Sequence, residues 1–175
     1  MNVPKSDVAI DGRRARCRAG LTERRTAMHM LLLPAEQMER LLPCLQELAV
    51  HHNAVSRRFR GAFPTLPLDQ RLAGFAADIR AGHSRVCALM DGDTVAGFCK
   101  VNIAGEQGTL HYLVLREAYR GQGWGKKLMD WAMQAFADAQ VTRIEVQVVD
   151  GNPAQRLYEA YGFAVKTLNM ERLSS

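Results

Sequence analysis

The sequence has no long apolar run. Nothing in it approaches the ~18 uncharged apolar residues of a membrane-crossing helix, and its longest apolar stretch, Met28 to Ala35, is only strand-sized. Cysteine is scarce and unpatterned. The gaps between Cys17, Cys44, Cys87 and Cys99 match no zinc site and no C-x-x-C redox pair. No metal site is therefore assigned, and the four read as reduced thiols of a cytoplasmic protein. Repeats and low-complexity blocks are absent. With 47% hydrophobic and 23% charged residues, the composition excludes a disordered, collagen-like or coiled-coil chain. A chain of 175 residues is one domain's worth and needs no disulfide or metal to fold.

The charge is lopsided. Residues 1–27 hold seven basic and three acidic side chains, a net +4 out of +5 for the whole chain. The high isoelectric point is thus a property of one segment and does not indicate a nucleic-acid-binding domain. That segment has no apolar core of a secretion signal, and Asp7, Asp11 and Glu23 do not suit a transit peptide. It reads as a basic, poorly ordered arm ahead of a domain spanning 28–175.

Periodicity supplies the elements. Met28 to Leu33 predicts a strand. Glu36 to His52 has helical apolar spacing interrupted by Pro43, which should kink or split it. Leu68 to Ala81 predicts a second helix. Strands over Arg85–Met90, Thr94–Ile103 and Thr109–Leu115 form a meander, with a hairpin at Asp91-Gly92. Gly123 to Ala139 predicts a helix, Arg143 to Val149 a strand, Asn152 to Tyr161 a short helix and Phe163 to Arg172 a last strand. The fold class is α/β: a mixed sheet with an antiparallel meander and one β-α-β crossover.

One stretch carries chemistry. Leu113-Val114-Leu115 closes a strand, and Arg120-Gly121-Gln122-Gly123-Trp124-Gly125-Lys126 opens a helix. Glycines there let a ligand approach the backbone and leave its N–H groups free. The first turn of a helix, with Arg120 and Lys126 beside it, favours an anion such as a pyrophosphate. A Rossmann fingerprint would need glycine where Lys126 or Leu128 stands. A Walker A loop would need Ser or Thr at Lys127 and glycine at Arg120.

These residues resemble the GNAT superfamily of acetyl-CoA-dependent N-acetyltransferases. Arg120 to Gly125 fits that family's [Gln/Arg]-x-x-Gly-x-[Gly/Ala] loop. Asn152, Leu157-Tyr158 and Tyr161-Gly162-Phe163 resemble its closing segment. The resemblance implies a GNAT-type sheet with splayed central strands and acetyl-CoA as co-substrate. It implies that Leu113, Val114 and Leu115 hold the pantetheine arm. The amides of Gly121, Gln122, Gly123, Trp124, Gly125 and Lys126 would hold the pyrophosphate, with Arg120 beside them. Asn152 would contact the coenzyme, and Tyr158 would protonate the departing thiolate.

The general base stays open between His111, Glu145 and water. His111 lies nine residues before Arg120, a spacing shared with arylalkylamine N-acetyltransferases, and its ordinary pKa suits the task. Where ribosomal-protein acetyltransferases carry a glutamate, this chain has Gln147, with Glu145 two residues earlier. The expected partners are acetyl-CoA and an amine, with no membrane and no nucleic acid, in a monomer or homodimer. A small amine is the preferred acceptor. Protein or peptide acetylation and a non-catalytic CoA-binding module are the alternatives.

Overall fold

The computed structural model describes residues 27–170. The expected arm over 1–27 lies outside them except for Ala27, as does Cys17. The chain runs β1 (His29–Leu32), a 3-10 helix (Ala35–Leu41), α1 (Leu42–Val55), α2 (Leu68–Arg80), β2 (Ser84–Asp91), β3 (Thr94–Ala104), β4 (Gln107–Leu115), a 3-10 turn (Glu117–Tyr119), α3 (Trp124–Asp138), β5 (Arg143–Val146) and α4 (Gln155–Ala160). Pro43 does split the first helical stretch. It sits in the first turn of α1, where its missing N–H breaks no bond. No helix among the described residues is long and apolar enough to cross a membrane.

The strands form one sheet in the order β1-β2-β3-β4-β5. The first three pairings are antiparallel and β4–β5 is parallel. The β2–β3 hairpin turns on Gly92-Asp93, one residue later than Asp91-Gly92, because Asp91 pairs with Thr94. Gly92, at φ 57°, supplies the left-handed conformation such a tight turn needs. The parallel pair is joined through α3, the single crossover expected from the sequence.

Apolar residues fill both faces of the sheet. On one, Met38, Leu41, Leu45, Leu72 and Phe75 pack over Val86, Ala88, Phe98 and Val114. On the other, Leu128, Met129, Ala132 and Phe136 of α3 pack over Leu89, Cys99, Val101 and Leu110, with Tyr158. Gly108 permits the close approach of α3: an added Cβ would stand 2.5 Å from the Phe136 ring.

Two expectations are corrected. The strand expected over Arg143–Val149 ends at Val146, where β5 leaves β4. The last strand expected over Phe163–Arg172 does not form among its described residues, 163–170. Its apolar alternation changes phase between Val165 and Leu168, so no register can bury Phe163, Val165, Leu168 and Met170 together. Val165, Leu168 and Met170 are 66%, 79% and 96% exposed. Lys166 nevertheless reaches Glu145 of β5, at 3.1 Å.

Candidate active site

Strands β4 and β5 pair only from Gln107–Arg143 to Leu110–Val146, then part. Beyond Leu110 the edge of β4 facing β5 has no strand partner among the described residues. A cleft of about 390 Å³ opens there. His111, Leu113, Val114, Gln147, Asn152 and Tyr158 line it, with His52 of α1, Thr65, and Arg71 of α2. Of the expected site residues, the structure therefore brings His111, Leu113, Val114, Asn152 and Tyr158 to one cavity. Leu115, Arg120 and Gly121 to Lys126 stand outside its lining.

A bulge sets the geometry of β4. Val101 pairs with Leu110 and Lys100 with Tyr112, so His111 is the extra residue. A bulge reverses which face the following side chains take. Gly108 and Leu110 face α3, and after the bulge Leu113 and Leu115 do so, while Tyr112 and Val114 join the α1–α2 core.

Behind His111 lies a fully buried lysine. Lys100 Nζ donates to Asp78 Oδ2 at 2.9 Å and Asn102 Oδ1 at 2.6 Å, and stands 3.3 Å from His111 Nδ1. Burial pushes the Lys100 pKa down, against the pull of Asp78. Burial and then the Lys100 charge push His111 below its ordinary value, with Arg71 adding to the effect and Asp78 opposing it. An ammonium has no lone pair. While Lys100 is charged, His111 Nδ1 must accept and the neutral ring keeps its proton on Nε2. When Lys100 is neutral it can accept from Nδ1–H, which frees Nε2.

Tyr158 is 8% exposed. Its hydroxyl makes no hydrogen bond with a described residue, and burial, with Cys99 nearby, pushes its pKa to about 12. The loop before α4 is pinned by Gly151, at φ 83°, where an added Cβ would come within 2.8 Å of the Val55 carbonyl oxygen. Asn152 Oδ1 accepts from the Ala154 amide at 3.0 Å, a turn that starts α4. Glu145 is exposed, paired with Lys166 and outside the cleft lining.

The glycine loop is fastened to the end of β4. Arg120 Nε donates to the Leu115 carbonyl at 3.0 Å. Arg116 pairs with Glu47 of α1 at 2.7 Å, and the Glu117 amide donates to the same carboxylate. Gly121 and Gly123 have φ of 72° and 82°, and Gly123 caps α3. The amides of Gly121 to Lys126 donate to no backbone carbonyl among the described residues. Lys127 Nζ stands 4.1 Å over the Trp124 ring.

The family model described as "Acetyltransferase (GNAT) family" matches residues 47–163. The chain belongs to that family. Solved GNAT-fold structures superpose on it at low identity. PaiA N-acetyltransferase from Thermoplasma acidophilum, in complex with coenzyme A, is 16% identical with a TM-score of 0.67, covering 82% of this chain and 93% of that one. A predicted acetyltransferase from Clostridium acetobutylicum, with acetyl-CoA, is 12% identical with a TM-score of 0.67, covering 84% and 96%. Ribosomal-protein-alanine N-acetyltransferase from Brucella melitensis biovar Abortus 2308 is 16% identical with a TM-score of 0.62, covering 85% and 100%. At these identities the likeness is one of fold.

Within this GNAT sheet, Arg71 in the cleft and the Lys100–Asp78 pair behind His111 have no counterpart in the sequence reading, and His52, at the end of α1, also lines the cleft. Lys100 left a signal, a lone charge inside the apolar run Val95 to Ile103. Arg71 left none, since a cation on an amphipathic helix reads as surface.

Proposed function

We propose that this protein transfers the acetyl group of acetyl-CoA to the primary amine of a small molecule, by direct attack of the amine on the thioester. One observation carries the reading. An unpaired strand edge, His111 to Leu115, leads within a few residues to a glycine loop whose amides are free. A pantetheine arm carries amides that can pair with such an edge like an added strand. The free amides of Gly121 to Lys126, at the positive end of α3, suit a pyrophosphate.

The chemistry asks for three things. The acceptor must lose a proton, the carbonyl oxygen gains charge, and the thiolate must leave. His111 takes the amine's proton at Nε2 in the form where Lys100 is uncharged and its nitrogen accepts Nδ1–H. The Leu113 amide stabilises the carbonyl oxygen. The Arg116 N–H donates to Ala96 in the β3–β4 ladder, so by alternation Val114 is bonded to Phe98 and the Leu113 amide faces the cleft. Tyr158 keeps its proton at neutral pH. Full transfer to a thiolate of ordinary pKa would run uphill by about 3 units, or ~4–5 kcal/mol. Tyr158 therefore acts first as a hydrogen-bond donor to the sulfur, and the C–N bond forms as the C–S bond breaks. Alignment of the two reactants in one cleft supplies much of the acceleration.

We assign this activity to residues 28–175 and place the basic segment 1–27 outside it. The free buried thiols of Cys44, Cys87 and Cys99 support a cytoplasmic setting.

Thiol release and product mass, measured with acetyl-CoA against a panel of small amines and short peptides, test the reading. Acetylated small amines are the expected outcome. Coenzyme binding without transfer to any acceptor, or transfer to peptides alone, would overturn it. The pH profile of kcat/KM should fall on the acid side through an inflection below pH 6.5, as the His111 ring takes up a proton. His111→Gln should remove that inflection, and Glu145→Gln should keep it.

A further inference from the structure

Among the described residues, the cleft lining holds a fixed positive charge and no carboxylate. Arg71 projects into it from α2, half-buried. Its guanidinium donates to the Tyr112 hydroxyl and, at 3.1 Å, to Thr65 Oγ1. The same group lies 6.0 Å from the centre of the Tyr112 ring. Its partners are therefore neutral oxygens, and no carboxylate among the described residues comes within ion-pairing distance of it. Arg80 and Arg116, by contrast, have Glu36 and Glu47, and buried Lys100 has Asp78. No described residue lining the cleft is acidic, and Asp78 lies behind His111, paired with Lys100.

That charge pattern is ill suited to a lone alkylammonium. Such an acceptor would leave water to meet a guanidinium that never loses its proton, with nothing of opposite sign in the lining. His52 adds no second cation, because burial and the neighbouring His51 hold its pKa at about 4. Resting on the acetyl-transfer reading above, we infer that the acceptor is a small primary amine that also carries a carboxylate, and that Arg71 binds this carboxylate. A guanidinium has five N–H donors in a planar fork that matches a carboxylate. Thr65 and Tyr112 fix the fork and leave donors over. A carboxylate cancels the single charge of Arg71, whereas a phosphate dianion would keep half of its own unbalanced. An amino acid entering the cleft thus brings the negative charge that the lining lacks.

Paired acceptors test this: L-phenylalanine against phenethylamine, L-lysine against cadaverine, and β-alanine against ethylamine. Initial rates are measured with the full chain at saturating acetyl-CoA, and acetyl-CoA affinity is measured by calorimetry. The carboxylate-bearing member of at least one pair should be preferred by about tenfold or more in kcat/KM. Arg71→Met should lower kcat/KM for that member roughly 10- to 100-fold, mostly through KM, as for a lost charge-assisted contact. The preference within the pair should collapse, while Arg71→Lys restores part of it. Acetyl-CoA affinity should not move in either variant. Preference for the decarboxylated members, or a ratio that survives Arg71→Met, overturns the inference and leaves acetyl transfer standing. Failure to bind acetyl-CoA, or transfer to neither series, overturns both. If Arg71→Met does not fold, the wild-type ratio and Arg71→Lys decide.

Discussion

Tyr158 illustrates how one side chain can belong to the core and still line a cleft. Its ring is part of the core beneath α3, and Phe163 packs edge-on against it at 6.0 Å. Its hydroxyl is left without a described partner in the cleft. Tyr158→Phe keeps the ring and removes only the O–H, so kcat should fall by the ~10²–10⁴ typical of a positioned acid group, with acetyl-CoA affinity nearly unchanged. A variant with full kcat would reduce Tyr158 to a core residue. His52 makes a separate statement about stability. Burial and then His51 hold its folded pKa at about 4, whereas an unfolded histidine titrates near ~6.5. The folded state therefore binds fewer protons between those values. Stability is fully present above about pH 6.5, falls as pH drops to about 4, and changes no further from this group below that. The loss should be about 1–2 kcal/mol once partial exposure is discounted. Urea unfolding at pH 7 and pH 5 should show it, and His52→Gln should shrink it; equal losses in both proteins would refute the assignment. At this scale the sequence was an uneven guide. Tyr158 was marked by its place in a motif and His111 by its spacing from Arg120, but what faces them depends on contacts distant in the chain. Lys100 meets Asp78 and His111 only once β3, β4 and α2 are assembled.

The elements were legible wherever the local chemistry was unambiguous. The meander, with glycines at its turns, and the glycine loop at the start of α3 follow from backbone preference alone. The bulge at His111 does not, because an unpaired residue leaves no mark in an alternating pattern until its partner strand is known. The missing last strand shows the converse: four apolar residues in β-like company do not make a strand if their alternation slips. The glycines of these elements also differ in consequence. Gly108→Val should cost about 1–3 kcal/mol through overpacking, because its Cβ would stand 2.5 Å from the Phe136 ring. At Gly125 an added Cβ makes only ordinary contacts, 3.5 Å from Leu115 and 3.8 Å from Leu157. Gly125→Val should stay folded and bind acetyl-CoA more weakly. Gly123→Val is a poorer probe, since φ of 82° there strains any side chain. Thermal melts of both variants, with calorimetric titration of acetyl-CoA into Gly125→Val, check this pair. A melting point for Gly108→Val equal to that of the wild type, or full affinity in Gly125→Val, would contradict it.

For the whole molecule, the site is a consequence of how the sheet is closed. Three antiparallel pairings hold β1 to β4 in register, and a single parallel pairing, four residues long, attaches β5. The fifth strand then turns away, so the interior of the sheet acquires an unpaired edge that a soluble fold otherwise avoids. The α1–α2 layer roofs that gap with Arg71 and His52, and α3 presents its N-terminus near its end. The two-motif resemblance was enough to expect this arrangement. The positive charge in the cleft lining was not legible, because it comes from Arg71 of α2, held by Thr65 of the loop before it, and that segment carries no motif. Hydrogen exchange of the amides with and without CoA tests the central claim most directly. Protection on CoA addition should appear along Leu113 to Leu115 and Gly121 to Lys126. It should be absent from the β1–β2 side of the sheet. Unchanged exchange at both of those segments, or protection confined to another surface, would contradict coenzyme binding in the gap between β4 and β5.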